Sequence, residues 1–456
     1  MIFSSLLFIF WFIPIFFAVY YIVPVKLKNP VLFIGSLVFY GWGEPKYLIL
    51  LAVSILVNYL AGILMHRYKG RADKPVLVCA LVFDIGMLFF FKYINFFIEN
   101  INAVSGAGVE KVNITLPLGI SFYTFQIMSY VIDLYRGKVD VEKSVINLGT
   151  YLCMFPQLIA GPIVVYSDVS AALKERKIEL KDIEDGLKLF ILGLGSKVLI
   201  ANNAGEYWKE LEQIGYAGIS APMAWLGMLA YTIQIYFDFN GYSMMAIGLG
   251  KMLGFEFPKN FNLPYTSRSI TEYWRRWHMT LSGWFRDYLY IPLGGNRKGK
   301  LRTVFNLFIV WFVTGFWHGA DWNFIFWGLY FFVLLMIERA GLLKFLEKNR
   351  LLSHVYSLLA IGFGWMLFAI TDLKALFVYL SRLFVGGSSP MIIYYLKNYG
   401  VILILGCLFS SGLGNRLYDN IKDKKAITIP VFAVVFILSV AYLADASFNP
   451  FLYFRF

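Results

Sequence analysis

The sequence predicts an all-α polytopic membrane protein. Three observations carry this. The 456 residues are 59% hydrophobic and 15% charged, whereas soluble domains carry about 25% charged residues. Apolar runs of about 20 residues recur along the chain, the length needed to cross ~30 Å of hydrocarbon as a helix. Basic residues collect in short stretches between those runs, as they do in cytoplasmic loops.

The elements follow in order. Residues 5–23 read as a retained first span: the run is too long for the core of a signal peptide and has no small-residue cleavage site. Lys26 and Lys28 follow it, which places the N-terminus outside. Residues 30–43 read as too short to cross. Further spans are expected over 47–65, 75–97, 116–135, 223–239, 303–317, 323–337, 355–370, 391–412 and 427–443. With shorter pieces that enter and return, the expectation is about 11 spans in a single integral domain, 1–456. Residues 171–189 alternate charged and apolar positions and read as a surface helix pair or a solvated connector.

The net charge of +13 does not point to nucleic acid. Residues 66–74 hold four Lys or Arg and one acid, and residues 268–302 hold eight against two. Both read as cytoplasmic loops. Cys79, Cys153 and Cys407 lie in apolar stretches at unrelated spacings, neither a disulfide framework nor a metal cluster.

Residues 271–300, "TEYWRRWHMTLSGWFRDYLYIPLGGNRKGK", are too polar to span and too aromatic for a plain loop. They read as re-entrant helices packed inside the protein, since irregular backbone at membrane depth needs burial or a cavity. Residues 303–338 read as a helix pair turning at "HGAD". From Arg302 to His318 is ~24 Å of helix, which carries His318 well into the bilayer. An ionisable group there usually faces a partner or cavity and marks a functional pathway, and an imidazole both accepts and donates a proton. A histidine that only caps the turn or bonds Asp321 is the alternative. His278, between Trp277 and Met279, reads equally as functional or as an aromatic-packed structural group. His66 and His354 read as interfacial. No Walker-type phosphate loop, paired-histidine zinc motif or Gly-x-Ser-x-Gly elbow is present. A histidine-only centre suits direct acyl transfer, in which a base takes the proton of an acceptor hydroxyl as that oxygen attacks a thioester.

The chain resembles the membrane-bound O-acyltransferase superfamily, in the branch of bacterial alginate and peptidoglycan O-acetyltransferases. The resemblance rests on "FYGWGEPKYLILLAVSILVNYLAG" (39–62), "LPLGISFYTFQIMSYVIDLYRG" (116–137), "FPQLIAGPIV" (155–164), "IYFDFNGYSMMAIGLGKMLGF" (235–255) and "NFNLPY" (260–265). Its most specific motifs are "YWRRWHMTLSGWFRDYLYIPLGGNR" (273–297), "FWHGADWNFIFWGLY" (316–330) and "FNPFLYFRF" (448–456). It implies a ring of helices around a thin centre with a tunnel through it. It also implies a thioester donor, most simply acetyl-CoA, offered from the cytoplasm, with no bound cofactor or metal. The acceptor is an extracytoplasmic hydroxyl on an exopolysaccharide, on peptidoglycan, or on an SGNH-type partner protein. By motif His318 takes the catalytic histidine position and His278 the second histidine. Trp274, Arg275, Arg276, Trp277, Asp287, Trp317 and Asp321 are expected to line the donor side and tunnel, with the arginines meeting donor phosphates or pairing with Asp287. Branch members commonly carry an acid after "GYS", where this chain has Met244. The expected location is the bacterial cytoplasmic membrane. The rival readings are D-alanyl transfer from a carrier-protein thioester to teichoic acid and, in a different class, a proton-coupled polysaccharide exporter.

Overall fold

The computed structural model describes residues Met1–Asp445, and within them all regular structure is helical. The terminal "FNPFLYFRF" motif lies outside the described residues. Each apolar run anticipated above folds as a helix, because a backbone in hydrocarbon must satisfy its own N–H and C=O groups. Among the described residues, five helices are long and apolar enough to cross a membrane: Pro45–Arg67, Asp73–Ser105, Arg350–Ala369, Met391–Ser410 and Lys425–Asp445. Their outward surfaces are apolar, with Ile49, Val82, Val401, Ile404, Ile429 and Ile437 all exposed. Such a surface would drive association in water and is matched to lipid.

The chain packs as two compact units, one of Met1–Phe190 with Ser243–Pro258, the other of Ile191–Tyr242 with Lys259–Phe456. In the first, a phenylalanine cluster of Phe8, Phe12, Phe16, Phe39 and Phe155 forms a core, with ring centroids 5.1–6.2 Å apart. Residues 30–43, read as too short to span, belong to a longer helix, Val25–Gly43. Pro30 lies inside this helix, where it removes one helical hydrogen bond without ending the helix. Residues 171–189 divide between the helices Tyr166–Lys174 and Leu180–Gly195. Asp84 is fully buried and accepts a hydrogen bond from Asn58 Nδ2 at 2.8 Å, so its carboxyl is not left bare in the apolar interior. Lys92 Nζ donates to Ser121 Oγ at 3.1 Å.

The second unit holds both buried histidines. Its frame is the helix pair Lys300–His318 and Trp322–Ile337. The two backbones touch: a Cβ on Gly315 would stand 2.3 Å from Phe324 O, and one on Gly328 2.3 Å from Trp311 O. Only glycine permits this approach. A third helix, Arg350–Ala369, packs on the pair through Trp365 and Phe368, whose rings meet Trp327 at 6.1 and 5.2 Å.

Candidate active site

His318 is the last residue of its 19-residue helix, and the chain turns through Gly319 and Ala320 to the cap of the return helix. Asp321 supplies that cap, accepting from the Trp322 N–H at 2.9 Å, and is exposed. Its carboxylate serves the turn. The His318 ring is buried among aromatics, edge-on to Trp327 at 4.9 Å, to Phe368 at 5.4 Å and to Trp317 at 5.0 Å. Trp317 also meets the ring of His278, at 6.2 Å. The two imidazoles, 40 residues apart in sequence, therefore share one tryptophan.

His278 sits where the chain turns between two short helices, Ile270–Trp274 and Met279–Phe285. Its φ is +43°, a left-handed conformation that costs a non-glycine residue free energy. The turn is held from residues 260–262. Met279 N donates to Asn260 O at 2.8 Å and Asn262 N to Arg276 O at 2.9 Å. Asn260 Oδ1 accepts from Thr280 Oγ1 at 2.9 Å and from the Thr280 N–H at 3.4 Å. The backbone N–H can only donate, which fixes the amide orientation. The His278 Nδ1, 3.0 Å from the same oxygen, is therefore the protonated nitrogen of the neutral ring, and Nε2 is the basic one. Phe239 closes over this ring edge-on at 4.7 Å.

The tryptophans named from the sequence pack among aromatic rings. Trp274 is buried against Trp311 at 4.7 Å, Phe331 at 4.9 Å and Trp327 at 5.5 Å. Trp277 packs on Trp365 at 4.9 Å and Phe261 at 5.0 Å. The charged residues are arranged otherwise than expected. Asp287 pairs with its neighbour Arg286 at 2.7 Å on an exposed edge, not with Arg275 or Arg276. Arg276 pairs with Glu272 at 2.8 Å, one helical turn earlier, and Arg275 is exposed. Beside this short helix lies a cavity of about 220 Å³ lined by Arg268, Ser269, Glu272, Glu347, Arg350 and Ser353, with leucines 343 and 346.

Sequence reasoning missed the residues that hold the histidines. Asn260 lies 18 positions before His278 and Glu338 lies 67 positions after Thr271, whose N–H it accepts at 2.9 Å. Also missed was a buried ion pair, Lys197 Nζ to Asp238 Oδ1 at 2.7 Å, in which Lys197 also donates to Asn202 Oδ1 at 2.9 Å. Asp238 immediately precedes the Phe239 that covers His278. A lysine and an aspartate inside apolar runs are a legible signal; their pairing is not.

Comparison with known proteins places this geometry in context. The model of the MBOAT, membrane-bound O-acyltransferase family, matches residues 37–381, a stretch that includes both histidines. The chain is 36% identical to a probable alginate O-acetylase of Azotobacter vinelandii over the whole of both chains. It is 35% identical to a peptidoglycan O-acetyltransferase of Helicobacter pylori, over 82% of this chain and 78% of that one. A teichoic acid D-alanyltransferase of Bacillus subtilis is 30% identical over 56% of this chain and 69% of its own.

Proposed function

Because the chain belongs to the membrane-bound O-acyltransferase family, and is thus a membrane O-acyltransferase, we propose that it moves an acetyl group from cytoplasmic acetyl-CoA to an extracytoplasmic hydroxyl, with His318 as general base. The acceptor is a cell-surface polysaccharide or a partner protein that passes the acetyl group on, and the membrane is the bacterial cytoplasmic membrane. The observation that carries this reading is the pair of buried imidazoles packed on Trp317. The names of the Azotobacter vinelandii and Helicobacter pylori relatives support acetyl as the group.

In this mechanism the His318 imidazole takes the proton of the acceptor hydroxyl as the oxygen attacks the thioester carbonyl. A C–O bond forms, the C–S bond breaks, and the proton passes to the departing thiolate, giving free CoA. General-base catalysis of this kind contributes about 10²–10⁴-fold. Positioning two reactants in one site supplies much of the remainder. His278, its Nδ1 proton held by Asn260, borders the donor side. Arg275, Arg268 and Arg350 meet the donor's phosphates, a contact that suits guanidinium groups.

The test is transfer of labelled acetyl from CoA in sealed vesicles containing the purified protein. Wild type is expected to consume acetyl-CoA from the cytoplasmic face. His318→Ala is expected to lose transfer by at least a hundredfold while remaining inserted and monodisperse. Full activity in that variant overturns the assignment of the base. The D-alanyl reading is favoured by the Bacillus subtilis relative and is tested by offering a carrier-protein D-alanyl thioester instead. Polymer flux without loss of acetyl from CoA would mark an exporter.

A further inference from the structure

We propose that Glu338 is a positioning residue for this transfer: its buried carboxylate fixes the segment that carries His278 to the far end of the helix pair that carries His318. The inference rests on the reading of the two histidines as the reaction centre. Glu338 is fully buried and directly follows the return helix Trp322–Ile337. It opens a π-helical stretch, Glu338–Leu342, that kinks at Gly341. Irregular turns of this type recur at functional positions.

The carboxylate reaches the start of the short helix Ile270–Trp274. Its Oε1 accepts from the Ile270 N–H at 2.5 Å, and its Oε2 accepts from the Thr271 N–H at 2.9 Å and from Thr271 Oγ1 at 2.6 Å. A helix leaves its first four N–H groups without partners in the helix. Here the Glu272 N–H is taken by the cap residue Ser269 Oγ at 3.0 Å, and the Tyr273 N–H makes the first bond within the helix, to Ser269 O at 2.9 Å. Glu338 takes the N–H groups of Thr271 and Ile270, from 67 and 68 residues away in sequence. Two of the donors that the helix itself cannot satisfy are thus held by one distant carboxylate.

Burying a carboxylate is costly, and an apolar residue of similar volume often serves stability as well or better. What an apolar residue cannot do is hold two consecutive N–H groups in place. Downstream of that hold come Trp274, packed on the helix pair, and then the left-handed turn at His278. A shift at residue 270 is therefore carried into the position of the second imidazole. Glutamine keeps the size of Glu338 but offers one acceptor oxygen for two backbone donors. Aspartate keeps both oxygens but falls one methylene short.

The experiment measures kcat in Glu338→Gln, Glu338→Asp and Thr271→Val, each alone and with Asn260→Ala. Glu338→Gln is expected to lower kcat at least tenfold, with Glu338→Asp recovering part of the loss. Thr271→Val, which removes only the hydroxyl arm, is expected to lower it severalfold. Because both residues act through His278, the Glu338→Gln loss is expected to shrink severalfold in the Asn260→Ala background. Fully multiplicative losses would show that Glu338 supports the fold without placing His278, and would overturn the inference. Hydrogen exchange gives a readout independent of activity: the amides of residues 270–278 are expected to open faster in Glu338→Gln. Unchanged exchange there overturns the inference whichever donor the enzyme uses. Failure of the wild type to use acetyl-CoA would count against the proposed donor alone.

Discussion

His278 Nδ1 stands 3.0 Å from Asn260 Oδ1, an oxygen whose orientation is set by the Thr280 hydroxyl and N–H. This contact selects the tautomer of a buried imidazole. Asn260→Ala removes it and leaves the ring without the acceptor that sets its tautomer. The expected result is a loss of transfer of about tenfold, since a misoriented second imidazole retains its chemistry but not its aim. Asn260→Asp keeps an acceptor at the same place and is expected to retain more activity than alanine. Steady-state kinetics on the three proteins, with chromatography to confirm folding, decides the point.

The glycine contact between the two helices of the site is equally specific. Gly315→Ala or Gly328→Ala places a methyl 2.3 Å from a backbone oxygen, and backbone cannot yield as a flexible side chain does. Either variant is expected to lower thermal stability in detergent and to reduce activity, because His318 ends one of the two helices. Gly86→Ala is the control. Its added methyl meets nothing within 4 Å, and alanine suits a helix interior better than glycine by about 1 kcal/mol. Tm of that variant should hold or rise.

The Lys197–Asp238 pair is 1% and 2% exposed. Removing one partner takes away the opposite charge that balances the other in the interior, at a cost of about 3–5 kcal/mol. Lys197→Met and Asp238→Leu are each expected to give poorly folded protein. The double variant is expected to be more stable than either single one. Thermal unfolding of the set measures the coupling; a double variant that loses the sum of both would refute the pairing.

Asp287 was expected at the donor mouth. It pairs instead with Arg286, whose side chain is 65% exposed, and exposed pairs of this kind contribute little. Asp287→Ala is therefore expected to change transfer less than twofold. Arg268→Ala combined with Arg350→Ala, at the cavity beside the short helix, is expected to raise the KM for acetyl-CoA severalfold. Initial rates at varied donor concentration separate the two outcomes.

Much of the fold was legible because hydrocarbon permits few solutions. Each run of about 20 apolar residues became a helix, and the "HGAD" turn fell where the breakers stood, between His318 and Trp322. Local sequence did not show that the helix through residues 30–43 begins at Val25 and runs through Pro30. At the site, local sequence pointed to His278, His318 and the tryptophans around them. It did not reveal Asn260, Lys197–Asp238 or Glu338, because each acts on a partner that only the tertiary fold brings near. Asp287 and Asp321 were expected at the site from the resemblance; local sequence did not show that Asp287 pairs with Arg286 or that Asp321 accepts from the Trp322 N–H.

The helix ending in His318 has a second face. Leu301, Val304, Phe305, Phe308 and Phe312 are all exposed along it, at the three- and four-residue intervals of one stripe. The helix approaches its neighbour through bare backbone at Gly315 and Gly328, and of this outer stripe Phe308 also meets the return helix, edge-on to Phe332 at 5.6 Å. Leu301, Val304 and Phe305, at the far end of the helix from His318, present apolar surface whose length matches the helix to the thickness of the bilayer. Adaptation to a new lipid environment thus has a place to act that is 13 or more residues from the imidazole.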